Sequence, residues 1–311
     1  MSKVLVFGHQ NPDTDTVASA ISLAYLLNEL SQDAEPVALG KVNLETQFAL
    51  DYFNLEAPRI IETAADEVEN VFLVDHNEAQ QSVADIDQVT VLGVVDHHRI
   101  ANFKTSDPLY YRAEPVGSTA TILSKIYKEQ GIEIPKSIAG LMLSAVISDT
   151  LLLKSPTTTG EDYRAAEELA ELAEVSLDDY GLELLKAGTN ISSKTAEEIL
   201  NDDAKSFTMG KDKVRIGQVN VVDIDSLLDA KKAELIQAMR DQIQEDDYSL
   251  VVLMITDIIE NNSVAIVEGT AYRKFEMAFS KPIQMNTVEL EGFVSRKKQL
   301  VPPLTEIFTR S

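Results

Sequence analysis

The chain has 311 residues and a mass of 34.3 kDa, with 44% hydrophobic and 25% charged residues, an ordinary globular composition at a length that suggests two domains. Cysteine is absent, which removes disulfide frameworks, zinc–thiolate sites, iron–sulfur clusters and cysteine nucleophiles together. A net charge of −24, from 51 acids against 27 bases, repels nucleic acid and anionic lipid, so neither is an expected partner.

Lys3–Gly8 (KVLVFG) reads as a short buried strand, and Val17–Leu30 has helical apolar spacing after a polar loop. Pro36–Gly40, Val71–Asp75 (VFLVD) and Val91–Asp96 (VLGVVD) are further strand-like runs, of the kind buried on both faces. Helical patterns follow at Ser118–Gln130, Ser137–Ile147 and Glu161–Glu174. Strands alternating with helices predict a largely parallel sheet flanked by helices. Leu185–Ser193 reads as a boundary, with Gly188 and Asn190 as breakers. Beyond it, Val214–Val222 and Ser249–Thr256 read as strands around a long helix, Ser226–Gln244. Ser263–Glu268 is expected to pair with Ser249–Thr256 across a loop holding Asn261 and Asn262. The expected fold is therefore α/β, with domains 1–188 and 189–311, the second smaller. The acidity is uneven: residues 1–188 hold 31 acids and 12 bases, residues 189–311 hold 20 and 15. No apolar run reaches the length of a membrane span, and MSKVLVFGHQ lacks signal-peptide architecture, so the cytoplasm is the expected location.

The four histidines are His9, His76, His97 and His98, each at or just past the C-terminal end of a predicted strand, and each has aspartates nearby. The segments are His9-Gln10-Asn11-Pro12-Asp13-Thr14-Asp15, Asp75-His76-Asn77 and Asp96-His97-His98. Asp149 ends a fourth apolar run. Ligands of open parallel sheets bind outside the carboxyl ends of the strands, so these segments can deliver Asp and His to one crevice. Carboxylate and imidazole together suit divalent metals. Two ions about 3.5–4 Å apart around a bridging carboxylate would use these groups and clamp a phosphoryl group. Each residue alone is more simply read as a hydrogen-bonded loop residue. Asp13 or Asp15 would cap the following helix, and Asp149 would be a surface cap. Taken together, that reading needs every histidine to lie beside aspartate at a strand end by accident. Arg296, Lys297 and Lys298 form a basic triplet, and Lys205 is a lone base after two acids. Either is an ordinary solvated feature unless a metal site gives it an anion to grip.

GHQNPDTD, DHNE, VVDHH and SDT, followed by SRKKQ, resemble the motifs of the family II inorganic pyrophosphatases, the manganese- or cobalt-dependent members of the DHH phosphoesterase superfamily. The likeness spans essentially the whole chain, and SRKKQ is what narrows it from the superfamily. It implies hydrolysis of pyrophosphate to two phosphates by a hydroxide activated by two metals. It implies two Mn²⁺ per subunit, with Co²⁺ as the alternative, and Mg²⁺ arriving with substrate. His9 and Asp13 resemble ligands of one ion, Asp15, His97 and Asp149 ligands of the other, and Asp75 their bridge. His98 resembles the catalytic proton donor. Lys205, Arg296 and Lys297 resemble substrate grips, and His76 a supporting residue that orients a ligand. The likeness further implies an active site between the two domains and a homodimer joined through the N-terminal one. One rival is another DHH phosphoesterase, acting on short oligonucleotides, cyclic dinucleotides or polyphosphate. Relatives acting on nucleotides carry a histidine-containing C-terminal motif, and no histidine follows His98. A non-catalytic metal- or phosphate-binding module is the other rival, and the full ligand set speaks against it.

Overall fold

The structure, a computed structural model, describes residues 3–189, 191 and 193–310. Its chain divides into two compact units, residues 1–188 and 189–311.

The first unit runs β1 (Val4–Phe7), α1 (Thr14–Glu29), β2 (Ala34–Ala38), α2 (Leu44–Tyr52), β3 (Arg59–Ile60), β4 (Asn70–Val74), β5 (Thr90–Asp96), β6 (Tyr110–Ala113), α3 (Thr119–Gln130), α4 (Lys136–Thr150), α5 (Gly160–Ala173) and α6 (Leu177–Thr189). Six parallel strands lie in the order β3-β2-β1-β4-β5-β6. The order reverses between β1 and β4, which is where a doubly wound sheet opens its ligand crevice. All four residues of β1 are buried, as are Val71–Val74 and Gly93–Asp96, which is why these strands read as unbroken apolar runs. α1 begins at Thr14, three residues before its apolar spacing does. The start is set by Asp13, whose side chain caps the helix by accepting from the Thr16 amide at 2.9 Å.

The second unit runs α7 (Ala196–Asn201), β7 (Ala204–Met209), β8 (Asp212–Val221), α8 (Ile224–Asp246), β9 (Leu250–Asp257), β10 (Asn262–Glu268), α9 (Tyr272–Phe279), β11 (Thr287–Leu290), a π-helical turn at Arg296–Leu300 and α10 (Val301–Thr309). Its sheet has the order β11-β10-β9-β8-β7. Only β8 and β9, joined through α8, are parallel. The predicted β9–β10 hairpin pairs Asn262 with Asp257. One face packs on α7 and α8 through Ile199, Leu235 and Met239, the other on α9 and α10 through Phe275, Leu304 and Phe308. The expected two-domain α/β class is therefore observed. Among the described residues no helix is long and apolar enough to cross a membrane.

One breaker was misread. Gly188 lies inside α6. A Cβ there would sit 2.7 Å from Oε2 of Glu45, so glycine permits close packing of α6 on that side chain. Asn190 lies outside the described residues.

Candidate metal centre

The loop from β1 into α1 carries His9, Asp13 and Asp15. Gly8 is required at its start, because a Cβ there would meet Thr16 Cγ2 at 2.4 Å. That close approach brings Thr16 to the end of β4, where its hydroxyl donates to Asp75 Oδ2 at 2.8 Å. Asp75 is 1% exposed and takes a left-handed backbone, φ +56°. Strain of order 1 kcal/mol at such a residue persists where its surroundings fix it. Here the Asp75 amide donates to the Val95 carbonyl at 2.9 Å, and Thr119 Oγ1 donates to Oδ1 at 3.0 Å.

The histidines converge on this carboxylate. His9 Nε2 lies 3.5 Å from Asp75 Oδ2 and 3.4 Å from Asp13 Oδ2, with its Nδ1 turned to the Gln10 carbonyl at 2.8 Å. His97 Nε2 lies 3.4 Å from Asp75 Oδ1 and 3.6 Å from Asp149 Oδ2, while Nδ1 donates to the Val116 carbonyl at 3.0 Å. The bond at Nδ1 leaves Nε2 of His97 as the nitrogen facing the carboxylates, and this buried nitrogen has no hydrogen-bond partner among the described residues. Asp15 is held by the amides that open α3, Thr119 at 2.6 Å and Ala120 at 3.1 Å, and by the Ser19 hydroxyl at 2.9 Å. Asp149 sits in the last turn of α4, where the helix dipole disfavours a carboxylate unless a cation is near.

Two donor sets result, His9–Asp13–Asp75 and Asp15–Asp75–His97–Asp149, in each of which the ligand atoms lie within 4.8 Å of one another. They share Asp75. A third set, Asp75–His97–His98, reuses two members of the second. Its His98 Nδ1 is 3.6 Å from Asp75 but 3.0 Å from Asp96 Oδ1, to which it is already committed. Oxygen and imidazole donors, with the unpartnered His97 nitrogen, fit divalent ions of the manganese type at the first two sets.

The electrostatics match that fit. Burial, followed by the charges of Asp15, Asp75 and Asp13, pushes the Asp149 carboxyl well up. Burial and the Asp75 charge push Asp15 to about 7. Burial opposes ionisation of Asp75 too, but the neighbouring His9 and His97 imidazoles outweigh it and hold that carboxyl far below the usual range. The partners respond in kind. Burial lowers both imidazoles, yet their aspartate partners raise His9 to about 11 and His97 to about 9. Without metal, protons on the histidines do the work that cations do with it.

The cluster rests on a shell of buried polar residues. His76 is buried, its Nδ1 bonded to the Val74 carbonyl at 2.9 Å and its Nε2 without a partner among the described residues. Among the described residues, no hydrogen bond of its ring reaches the cluster. The groups that hold the cluster are Thr16, Thr119 and, behind His98, the wholly buried Asp96, whose second oxygen accepts from Asn77 at 2.6 Å. Asp96 and Asn77 stood inside the DHH and DHN motifs. The threonines carried no sequence signal, because they act through a sheet register and a helix N-terminus that only folding creates.

In the second unit, Lys205 is exposed on the edge strand β7, and Lys297 is exposed on the π-helical turn; neither has a partner among the described residues. Arg296 is only 7% exposed and bends inward. Its guanidinium donates to Asp203 Oδ1 at 2.8 Å, to the Ile216 carbonyl at 3.1 Å and to the Asp203 carbonyl. Around it, Gln299 accepts from the amides of Val294 and Ser295 at 2.9 and 3.0 Å. In SRKKQ, then, the Arg and Gln side chains tie the turn to its own unit and the lysines point out.

A chain with a doubly wound first unit, a mixed-sheet second unit and an Asp/His centre at the sheet's switch point is of the DHH type. The family models agree: residues 3–146 match the N-terminal domain of the DHH family, and residues 182–307 match the DHHA2 domain. The chain is 58% identical over 306 residues to the manganese-dependent inorganic pyrophosphatase of Bacillus subtilis, covering 98% of this chain and 99% of that one. A probable manganese-dependent inorganic pyrophosphatase of Bacillus licheniformis is 59% identical over the same shares. A solved structure from Methanococcus jannaschii, assigned to the family II inorganic pyrophosphatases, aligns with a TM-score of 0.60 at 41% identity over 98% of this chain and 99% of that one. The chain belongs to the manganese-dependent, family II inorganic pyrophosphatases, and so to the hydrolases.

Proposed function

We propose that the chain hydrolyses inorganic pyrophosphate to two phosphates, using two manganese ions held around Asp75. The observation that carries this reading is the sharing of Asp75 between the two donor sets. His9 and Asp13 complete one set, and Asp15, His97 and Asp149 the other. Bound manganese supplies Lewis acidity toward phosphoryl oxygens and lowers the pKa of water, with Co²⁺ able to replace it and Mg²⁺ entering with substrate.

The chain's own residues do the rest. Asp75 stays ionised, because Thr16 and Thr119 donate to it and both histidines face it. His98 holds a proton for the leaving phosphate. Asp96 accepts from its Nδ1 and raises the imidazole's pKa, which leaves Nε2 as the nitrogen that would face substrate. Lys205 and Lys297 neutralise phosphoryl oxygens as point charges. Arg296 joins them as a grip if its fork exchanges Asp203 for substrate, and otherwise it fixes the turn that carries Lys297. Removing charge from the transferred group is the main task in phosphoryl transfer. The reading also takes the chain as a cytoplasmic homodimer joined through the first unit, which light scattering on the purified protein checks.

The experiment is phosphate release from pyrophosphate, with a dinucleotide in parallel, by protein loaded with Mn²⁺. Rapid release from pyrophosphate alone supports the assignment. Cleavage of the dinucleotide with pyrophosphate untouched would move the chain to the oligonucleotide branch.

A further inference from the structure

Asp162 is wholly buried in the first turn of α5. Its carboxyl group completes the capping box of that helix, accepting from the Thr159 amide and hydroxyl, both at 2.7 Å. The cap uses only part of it. Oδ2 also accepts from the Gly117 amide at 2.9 Å, and Oδ1 accepts from the Thr121 hydroxyl at 2.7 Å, across 45 and 41 residues of chain. The approach to Gly117 is close: a Cβ there would lie 2.9 Å from Asp162 Oδ2 and 2.7 Å from Thr150 Cγ2. A buried polar group satisfied on every side rigidifies the segments that it joins. Here those segments are the N-terminus of α5 and the chain that enters α3.

The ties to Gly117 and Thr121 bracket a stretch that does most of the holding at the second donor set. The Val116 carbonyl accepts from His97 Nδ1 at 3.0 Å. The Thr119 and Ala120 amides donate to Asp15 at 2.6 and 3.1 Å. Thr119 Oγ1 donates to Asp75 Oδ1 at 3.0 Å, and Oδ1 is the oxygen that faces His97. The first donor set is held elsewhere. His9 turns to the Gln10 carbonyl, Asp13 accepts from the Thr16 amide, and Asp75 Oδ2 accepts from the Thr16 hydroxyl.

We propose that Asp162 is a positioning residue for the Asp15–Asp75–His97–Asp149 set, fixing residues 116–121 so that they hold Asp15, Asp75 and His97 in register for a divalent ion. Among the described residues it makes no hydrogen bond to a ligand itself, so it acts through Val116, Thr119 and Ala120. Its reach is one-sided: loosening this stretch frees the second set and leaves His9 and Asp13 as they are. Partners that bond a ligand directly are worth about 10–100-fold in metal affinity, and Asp162 stands one bond further out, so about tenfold is expected.

This role rests on the two-ion reading of the centre and not on its substrate. The test is Mn²⁺ titration of the full, chelator-stripped chain against a competing chelator, with bound metal counted. Thr121→Val removes one tie and keeps the α5 cap. One ion should then bind as in the parent chain, and the other about tenfold more weakly. Thr121→Ser keeps the hydroxyl and should restore the parent affinity. Thr159→Val is the counterpart, because it strips the cap of its hydroxyl and leaves both ties. It should lower the melting temperature and leave both affinities unchanged, a separation that a purely structural Asp162 would not produce. Gly117→Ala, which crowds the other tie, carries the same expectation as Thr121→Val and stands in for it if that variant does not fold. Parent affinity for both ions in the folded variant overturns the role. So does equal weakening of both ions, or an equal loss in Thr121→Val and Thr159→Val. A parent chain that binds no Mn²⁺ removes the two-ion reading, and this role with it; a parent chain that binds two ions leaves that reading standing whatever the variants show.

Discussion

The two regions proposed to carry charge toward a phosphate are built in opposite ways. Around Asp75, four of the six proposed ligands are fixed by a bond to something else: Asp13 by the α1 cap, Asp15 by the first amides of α3, His97 by Val116, Asp75 by two threonines. Among the described residues, Lys205 and Lys297 are exposed and carry no such bond, while the turn beneath Lys297 is anchored through Arg296 and Gln299. The lesson is energetic. Buried carboxylates facing one another are tolerable only when their geometry is set in advance for a cation, whereas a solvated lysine loses little by waiting for an anion.

The sharpest attempt to break this contrast is Asp75→Asn, which keeps the shape and removes the shared charge. Both histidines lose their common partner, so tight Mn²⁺ binding should disappear. Turnover should fall by more than the roughly 10–100-fold expected for a supporting partner. Near-normal Mn²⁺ content by metal analysis would end the bridging role. Next in size is Thr119→Val, which deletes one hydroxyl while keeping the amide that holds Asp15. Mn²⁺ affinity should drop about 10–100-fold, and Thr119→Ser should restore most of it. Equal affinities for the Val and Ser variants would reduce Thr119 to packing. Lys297→Ala probes the other region. A lost charge-assisted bond is worth about 1.5–3 kcal/mol, so kcat/KM should fall roughly 10–100-fold with metal content intact. Wild-type kinetics would remove the grip role.

Proton release sharpens the comparison from the side of pH. His9 and His97 are raised to about 11 and about 9, so at pH 7.5 the metal-free centre holds protons that Mn²⁺ must displace. Affinity should therefore rise with pH from 7 toward 9, and calorimetry in buffers of different ionisation enthalpy should register net release. No release at pH 7.5 would mean that the metal enters elsewhere. The smallest effect is expected at the β2–β3 edge of the first unit's sheet. Arg59 holds the Glu35 carboxyl down at about 2, helped by Lys3. The depressed value means this pair stabilises the fold above pH 4.5 and loses its effect as pH falls toward 2. Because both partners are partly exposed, Glu35→Gln should cost less than about 1 kcal/mol at pH 7 in denaturant unfolding.

Much of the first unit was legible because burial on both faces writes β1, β4 and β5 as apolar runs, and because aspartate and histidine follow them directly. The second unit's βαβ core, β8–α8–β9, was legible for the same reason. Short or exposed elements were not: β3 has two exposed residues, β6 and β7 are half-polar sheet edges, and α7 and α9 are too short to display a period. Arg296 shows the other limit. A basic triplet gives charge but not direction, and nothing in RKK says that the arginine bends inward to Asp203 while Lys297 points out. Thr16 and Thr119 were invisible for a related reason, since they lie far apart in sequence from the Asp75 they hold.

The central claim is that two Mn²⁺ held around Asp75 make this chain a pyrophosphatase. The most direct test is phosphate release from pyrophosphate by chelator-stripped protein, titrated with Mn²⁺ while bound metal is counted. The account predicts negligible release without metal and a rise that saturates at two ions per chain. Full release from the stripped protein, or none with two ions bound and the fold intact, would contradict it.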